Sequence, residues 1–258
     1  MTSATTPAGQ LRSALAADGA RPFVTFYDDA TGERAELSVA TFDNWVAKTA
    51  NLFQDELGAA GGERVAILLP VHWQTLAVFA ACWSAGLVAV AGGDPAGADH
   101  VVAGPQTLAE ARACSGERVA LSLRPLGGRF VQRPEGFLDF AAHIGGQGDR
   151  FVPYAPVTPD TPALEIGGRI RAAGELADEA TRTAAGLGLR TGTRLLSAEP
   201  LTSWNGLLAG LLLPLATDGS VVLCRNPDPA RMPGRAGSER VTGIARTTLT
   251  GGLDVSSR

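Results

Sequence analysis

RVAILLP, from Arg64 to Pro70, is answered 130 residues later by RLLSAEP, from Arg194 to Pro200, with the arginine-to-proline spacing preserved. Each reads as a short buried strand. A near-continuous apolar run suits a strand covered on both faces, and the proline ends it because it has no N–H to give to a ladder. The segment beyond each proline repeats as well. HWQTLAVFAACWSAG, His72 to Gly86, and SWNGLLAGLLLPLATDG, Ser203 to Gly219, are helical runs that stop at glycine, a common helix terminator. LVAVA after Gly86 and SVVLC after Gly219 then read as strands, and Asp94-Pro95 and Asn226-Pro227 close the two units. Across this stretch the offset drifts only from 130 to 133. A strand, helix, strand plan used twice predicts mostly parallel sheets flanked by helices.

The repeat extends upstream. Helical patterns begin at Phe42 in TFDNWVAKTANLFQDEL and at Leu176 in LADEATRTAAGLGL, an offset of 134; Ser38 is placed to cap the first, whereas Ala172 stands at that place in the second. Before these helices come paired strand-like segments. FVTFY (23–27) and RAEL (34–37) flank the turn-rich DDATGE, while LEI and RIR, within Leu164 to Arg171, flank Gly167-Gly168 alone. A two-residue glycine link between alternating segments predicts a tight hairpin, since a type I′ turn needs positive φ at both central residues. Between the copies, residues 99–123 suggest another strand, helix and strand, and 124–159 read as a connection rich in glycine, proline and arginine. The fold class predicted is α/β, with two pseudo-repeated lobes at 1–155 and 156–245 and a flexible tail at 246–258.

Composition excludes some functions. With 45% hydrophobic residues over 258 positions the chain can bury a sizeable core, and a formal charge of −4 gives no basic footprint for nucleic acid. Cys82, Cys114 and Cys224 have neither disulfide nor zinc spacing. With an N-terminus that lacks an apolar leader core, this predicts a reduced, cytoplasmic setting. The apolar stretch 65–91 is split by Pro70, His72 and Gln74, so no membrane span is expected. Only one of the 22 basic residues is a lysine, Lys48, and it sits on an amphipathic helix pattern as a solvated charge.

Chemical motifs are scarce. There is no GxxxxGK[ST] loop, no GxGxxG after a strand and no GxSxG elbow. GLGLRTG, Gly186 to Gly192, ends a helix, whereas a phosphate loop should enter one. His72, His100 and His143 lack metal-ligand spacing and read as surface or capping residues. The residues chosen as a possible ligand pocket are Ser203, Trp204, Asn205 and Gly206, at the head of the second post-proline helix, where an indole beside an amide can line a cavity. Catalytic and metal residues are expected to be none.

The stretch GERVAILLPVHWQTLAVFAACWSAGLVAVAGGDP (62–95) resembles the early scaffold of the adenylate-forming superfamily, the acyl-CoA synthetases and their AMP-binding relatives, with Glu63 in place of a usual aspartate. PLTSWNGLLAGLLLPLATDGSVVL (200–223) is similar to the segment that lines the acyl pocket there, with Ser203 where many members have histidine. The likeness spans about residues 20–245 and implies the pseudo-symmetric lobes of the superfamily's large N-terminal domain. It also implies a serine-, threonine- and glycine-rich ATP loop with a lysine between Leu164 and Leu176. LEIGGRIRAAGEL stands there instead. The adenine and ribose motifs and the C-terminal domain would lie beyond residue 258. The expectation is an acyl-CoA synthetase-like protein that is catalytically silent, needs no cofactor, and binds a protein partner or a small acyl or carboxylate ligand. The alternative is an adenylate-forming ligase using ATP and Mg and completed by a separate chain.

Overall fold

The computed structural model describes residues 6–257. In chain order it begins with α1 (Pro7–Asp18), β1 (Pro22–Asp28), β2 (Glu33–Ser38), α2 (Val39–Asn51), β3 (Arg64–Leu68), α3 (Trp73–Ala85) and β4 (Val88–Ala91). Next come β5 (His100–Ala103), α4 (Leu108–Ala111), β6 (Glu117–Ala120), β7 (Leu138–Asp139), α5 (Phe140–His143), β8 (Pro162–Ile166) and β9 (Arg169–Ala172). The remainder is α6 (Ala173–Gly186), β10 (Arg194–Ser197), α7 (Trp204–Leu207), α8 (Leu213–Ala216), β11 (Ser220–Arg225), α9 (Met232–Ser238), β12 (Gly243–Thr247) and β13 (Leu253–Ser257). Both RVAILLP and RLLSAEP begin as strands, and their prolines fall just past the strand ends.

These elements form two compact units. One comprises Met1–Phe42, Val71–Trp73 and Glu175–Arg258, and its sheet runs β13-β12-β10-β11-β1-β2. Strands β12, β10, β11 and β1 are parallel, with β2 and β13 antiparallel at the edges. The other comprises Asp43–Pro70 and Gln74–Gly174, and its sheet runs β7-β6-β5-β3-β4-β8-β9, parallel except for the edge strand β9. The order β12-β10-β11 plus hairpin β1-β2 in one sheet recurs as β5-β3-β4 plus hairpin β8-β9 in the other.

Two expectations differ from what is observed. A cut near residue 155 does not separate the units, because each hairpin joins the sheet of the strands farther along or farther back in the chain: β1 pairs with β11, and β8 with β4. An open strand edge accepts any strand that reaches it, and parallel pairing needs a long crossover in any case. The tail is also structured. Leu253–Ser257 pairs antiparallel with β12, from Thr247↔Leu253 to Gly243↔Ser257, and a turn closed by Thr248 N–H to the Gly252 carbonyl (2.7 Å) joins them. LDVSS alternates, and Leu253 and Val255 are half-buried while Asp254 is exposed.

Local chemistry explains the ends of elements. The Ser38 hydroxyl accepts from Thr41 N–H (3.1 Å) at the head of α2. Gly167 and Gly168 lie at φ +59° and +73°, and a Cβ on either would meet no atom within 4 Å, so the β8-β9 link is a bare turn facing open space. Between α7 and α8 the helix widens to a π turn, Leu208–Leu212. Pro214 is the second residue beyond it; it lacks an N–H and crowds the preceding turn, which a locally wider helix relieves.

Candidate functional site

The chain leaves β10 for β11 on one side, then returns through α9 to β12 on the other. Right-handed crossovers made in opposite directions put their helices on opposite faces of a sheet, which opens a crevice beyond the carboxyl ends of the two strands at the reversal. Such a crevice is present. Its volume is about 680 Å³, and it lies between the ends of β10 (Leu196, Ala198) and β12 (Ile244, Ala245) on one side and α9 (Met232, Ala236) on the other. Pro200, Pro227 and Pro229 form its rim. The sequence after β11 cannot continue as a strand through two prolines, so it turns away beyond the carboxyl end of that strand.

Two charged residues line this apolar space, Glu199 and Arg246. Glu199 is committed: its carboxylate accepts from Thr247 N–H (3.0 Å) and the Thr247 hydroxyl (2.6 Å), tying the end of β10 to the end of β12. Arg246 is exposed and lines the same end of the crevice. The matching place in the other unit has different contacts. There Thr107 donates its hydroxyl to the Leu68 carbonyl (2.6 Å), and Leu68, Ala103, Ala120 and Phe137 pack into one buried cluster.

The α9 wall is held rigidly. Arg235 forms a bidentate pair with Asp29 (2.6 and 3.1 Å), both side chains 7% exposed, and its guanidinium lies 4.1 Å from the Tyr27 ring centre. Just past α9, Glu239 accepts from Arg194 of β10 (2.6 Å). Ala236 packs with Leu196, Val222 and Cys224 on the sheet face that α9 covers.

The four residues chosen from sequence sit beside this crevice, at the start of α7. Ser203 is the helix cap, accepting from Gly206 N–H (3.1 Å) and donating to the Pro200 carbonyl (2.8 Å). Asn205 donates to the Thr247 hydroxyl (3.2 Å) and the Gly251 carbonyl (3.0 Å). Trp204 is half-buried. Gly206 is buried and lets the backbone close on itself: a Cβ there would stand 1.9 Å from the Pro200 carbonyl oxygen. These residues shape Pro200 and the β12 end. The lining groups Glu199, Met232, Ile244 and Arg246 were not singled out from sequence, although the rule for strand reversals points to the carboxyl ends of β10 and β12 once the order is known.

Two of the three histidines, His72 and His100, are buried rather than at the surface, whereas His143 is partly exposed in the last turn of α5. His72 is fully buried with its ring 4.5 Å from Phe26, and burial, helped by the Arg225 charge, holds its pKa down to about 3. His100 is buried with Nε2 against Glu63 (2.8 Å), and His143 pairs with Glu56. Among the described residues no cluster of three or more metal-ligating side chains occurs. Lys48 is tied down too: Nζ donates to the Gln147 carbonyl (2.5 Å) and pairs with Asp149 (2.8 Å). The buried His72 predicts a pH dependence. Its folded pKa lies below the ordinary 6.5, so the unfolded chain takes the proton first. The stability it contributes is complete above pH 6.5 and is lost as pH falls, by at most about 1.4 kcal/mol per pH unit for one proton. Urea unfolding should follow this slope, and His72→Gln should flatten it; an unchanged slope in the variant would refute the assignment.

A protein from Mycobacterium tuberculosis named "TIGR03089 family protein" is 41% identical over 251 residues, which cover 95% of this chain and all of that one. The chain belongs to the TIGR03089 family. The family model for AMP-binding enzymes matches residues 11–103. In fold this TIGR03089 member is similar to a Brucella canis acyl-CoA synthetase, with a TM-score of 0.75 at 18% identity over 93% of the chain. It is similar also to the N-terminal domain of FACL13 from Mycobacterium tuberculosis, with a TM-score of 0.70 at 16% identity over 92%. A third similar fold is the anthranilate CoA ligase AuaEII in complex with anthranoyl-AMP, with a TM-score of 0.72 at 16% identity. The chain spans 46%, 61% and 49% of those three proteins. The chain therefore has the fold of an acyl-CoA synthetase N-terminal domain, with two mostly parallel sheets flanked by helices, and its first part matches the model for AMP-binding enzymes. Among the described residues no helix is long and apolar enough to cross a membrane.

Proposed function

We propose that this chain is a binding protein that keeps an adenylate-forming scaffold without adenylation chemistry, and that its ligand is a small apolar carboxylic acid seated in the crevice between β10, β12 and α9. The observation that carries the reading is the crevice itself, whose walls are aliphatic, whose one acid is already satisfied by Thr247, and whose end presents Arg246. Its volume of about 680 Å³ suits a small-molecule pocket. An arginine at the end of an apolar slot selects a carboxylate by paired N–H donors.

The catalytic silence rests on a different part of the chain. Adenylyl transfer needs preorganised donors and cations around a triphosphate. Where the superfamily resemblance puts that loop, the chain has a two-residue turn with both glycines facing open space. The one lysine is held by Gln147 and Asp149. No cofactor is required for this role, and the three free, buried cysteines suit a reducing, cytoplasmic setting. The AMP-binding match over 11–103 favours a second reading, a ligase using ATP and Mg that is completed by a separate partner chain.

Titration calorimetry with a panel of aliphatic and aromatic carboxylates, alongside ATP–pyrophosphate exchange, separates the two. Binding without exchange is expected; robust exchange by the chain alone would overturn the proposal. Ala198→Trp, which fills the crevice, should lower affinity at least about tenfold while the protein stays folded. Arg246→Gln should weaken a carboxylate by a similar factor and leave its neutral amide unaffected. Equal losses for acid and amide would remove Arg246 from the site.

A further inference from the structure

The unit built on β3–β9 carries a second concavity whose chemistry is the opposite of the first. It has a volume of about 490 Å³ and is lined by Ser115, Gly116, Arg118, Arg133, Gly136 and His143, with Glu117, Phe137 and Leu138 completing the wall. Two arginines and a histidine thus face one space with a single lining acid, Glu117. Three features of its geometry bear on what it could bind.

The first is that two guanidiniums converge. A Cβ built on Gly136 would stand 3.8 Å from Nη1 of Arg112 and 3.9 Å from Nη2 of Arg118. Like charges brought to one point raise each other's energy, and an anion between them reverses the sign. The second is that their positions are fixed. Both guanidiniums lie over the ring of the buried Phe137, at 5.6 and 5.9 Å from its centre. Arg112 also donates to the Glu135 carbonyl (3.2 Å), and Arg118 donates to the Arg112 carbonyl (3.5 Å). Anchoring to a ring face and to carbonyls holds the charges in place without neutralising them, so little ordering is left to be done when a ligand arrives. The third is the third cation. Arg133 lines the same space from the segment before β7, and His143 closes it with Nδ1 engaged by Glu56. Among the described residues, the ion pairs found elsewhere in the chain do not include Arg112, Arg118 or Arg133.

We infer that this concavity is a binding site for a phosphate-type oxyanion, held by Arg118 and Arg133 with Arg112 behind them. The tetrahedral group can come from inorganic phosphate or from the phosphoryl end of a small organic phosphomonoester, and both offer the same oxygens to paired guanidinium donors. The site is independent of the apolar crevice, and either proposal can fail alone.

Titration calorimetry of the full chain at low ionic strength, first with inorganic phosphate and pyrophosphate and then with glycerol 3-phosphate, tests it. Saturable 1:1 binding that weakens as sodium chloride is raised is expected. Arg133→Gln, on an exposed side chain, should weaken it about fivefold or more, and so should Arg118→Gln; Arg182→Gln, a surface arginine of α6, should leave it unchanged. Tighter binding of glycerol 3-phosphate than of phosphate would assign the organic source, and the reverse order the inorganic one. Absence of saturable binding by all three probes, or affinities in Arg133→Gln and Arg118→Gln equal to the parent protein's, would overturn the inference. Because Arg133 is exposed, the outcome does not depend on whether Arg118→Gln folds.

Discussion

Asp29→Ala is expected to lower the free energy of unfolding by about 3–5 kcal/mol, the range for breaking one partner out of a buried ion pair. Asp29 sits in the turn after β1 and receives both terminal nitrogens of Arg235, at 2.6 and 3.1 Å, along with Asp228 N–H at 2.8 Å. Removing the carboxylate leaves a guanidinium 7% exposed, stacked on Tyr27 and beside the Cys224 sulfur, with its charge uncompensated. Arg235→Met in the same background should restore much of the loss, because an apolar chain in that slot leaves nothing charged behind. Arg235 also carries α9, whose Met232 and Ala236 form the crevice wall, so carboxylate affinity should fall with stability. Urea unfolding of the two single variants and the double variant closes the cycle. A loss under about 1 kcal/mol for Asp29→Ala would show that the pair is no more than a surface contact.

The same pair sets an acid limit. The Arg235 hydrogen bonds hold the Asp29 carboxyl below the usual carboxylate range. A lowered folded pKa contributes stability above the unfolded value, near pH 3.8, and loses it as pH falls through the folded value. This step lies lower on the pH scale than the His72 loss, which starts at 6.5. Two stages of acid weakening are therefore expected in the parent protein, and Asp29→Asn should remove the lower one.

Much of the fold was legible because its signals are local. RVAILLP and RLLSAEP carry strand length, burial and termination within seven residues, and Gly167-Gly168 carries a turn type within two. The exchange of hairpins between sheets was not legible. No residue in FVTFY marks β11 as its parallel neighbour, since a strand with Phe23, Val24, Thr25 and Phe26 all buried, covered on both faces, fits any open edge. The crevice was hidden for a related reason: its lining comes from β10, the loop after β11, α9 and β12, and only the strand order brings them together. His72 was misread because the position after a proline is commonly exposed, whereas here Val71–Trp73 belongs to the β10–β13 unit and its histidine is packed on Phe26. Ser203–Gly206 drew notice as a polar, aromatic cluster at a helix start, and the structure gives three of the four a bonding or packing reason of their own.

Gly206→Ala turns that reason into an expected result, a loss of about 3 kcal/mol, at the upper end of what adding one methyl to a filled space costs. Backbone torsion is not the cause, since Gly206 is an ordinary helical residue; the obstacle is the Pro200 carbonyl, whose oxygen and carbon would lie 1.9 and 2.5 Å from the new Cβ. Both atoms are backbone, so no rotamer change relieves the clash. The loop from Pro200 to Ser203 must move, and with it the cap that Ser203 places on Gly206 N–H. Ser203→Ala removes that cap alone and should cost only about 1 kcal/mol. The two variants thus separate close approach from capping at one site. Pro200 forms part of the crevice rim, so Gly206→Ala should also weaken carboxylate binding when assayed well below its melting temperature, whereas Ser203→Ala should leave it near the parent value. Equal stability losses in the two variants would mean that the contact with Pro200 relaxes without resistance, and the geometry at the head of α7 would then not be what holds the rim in place.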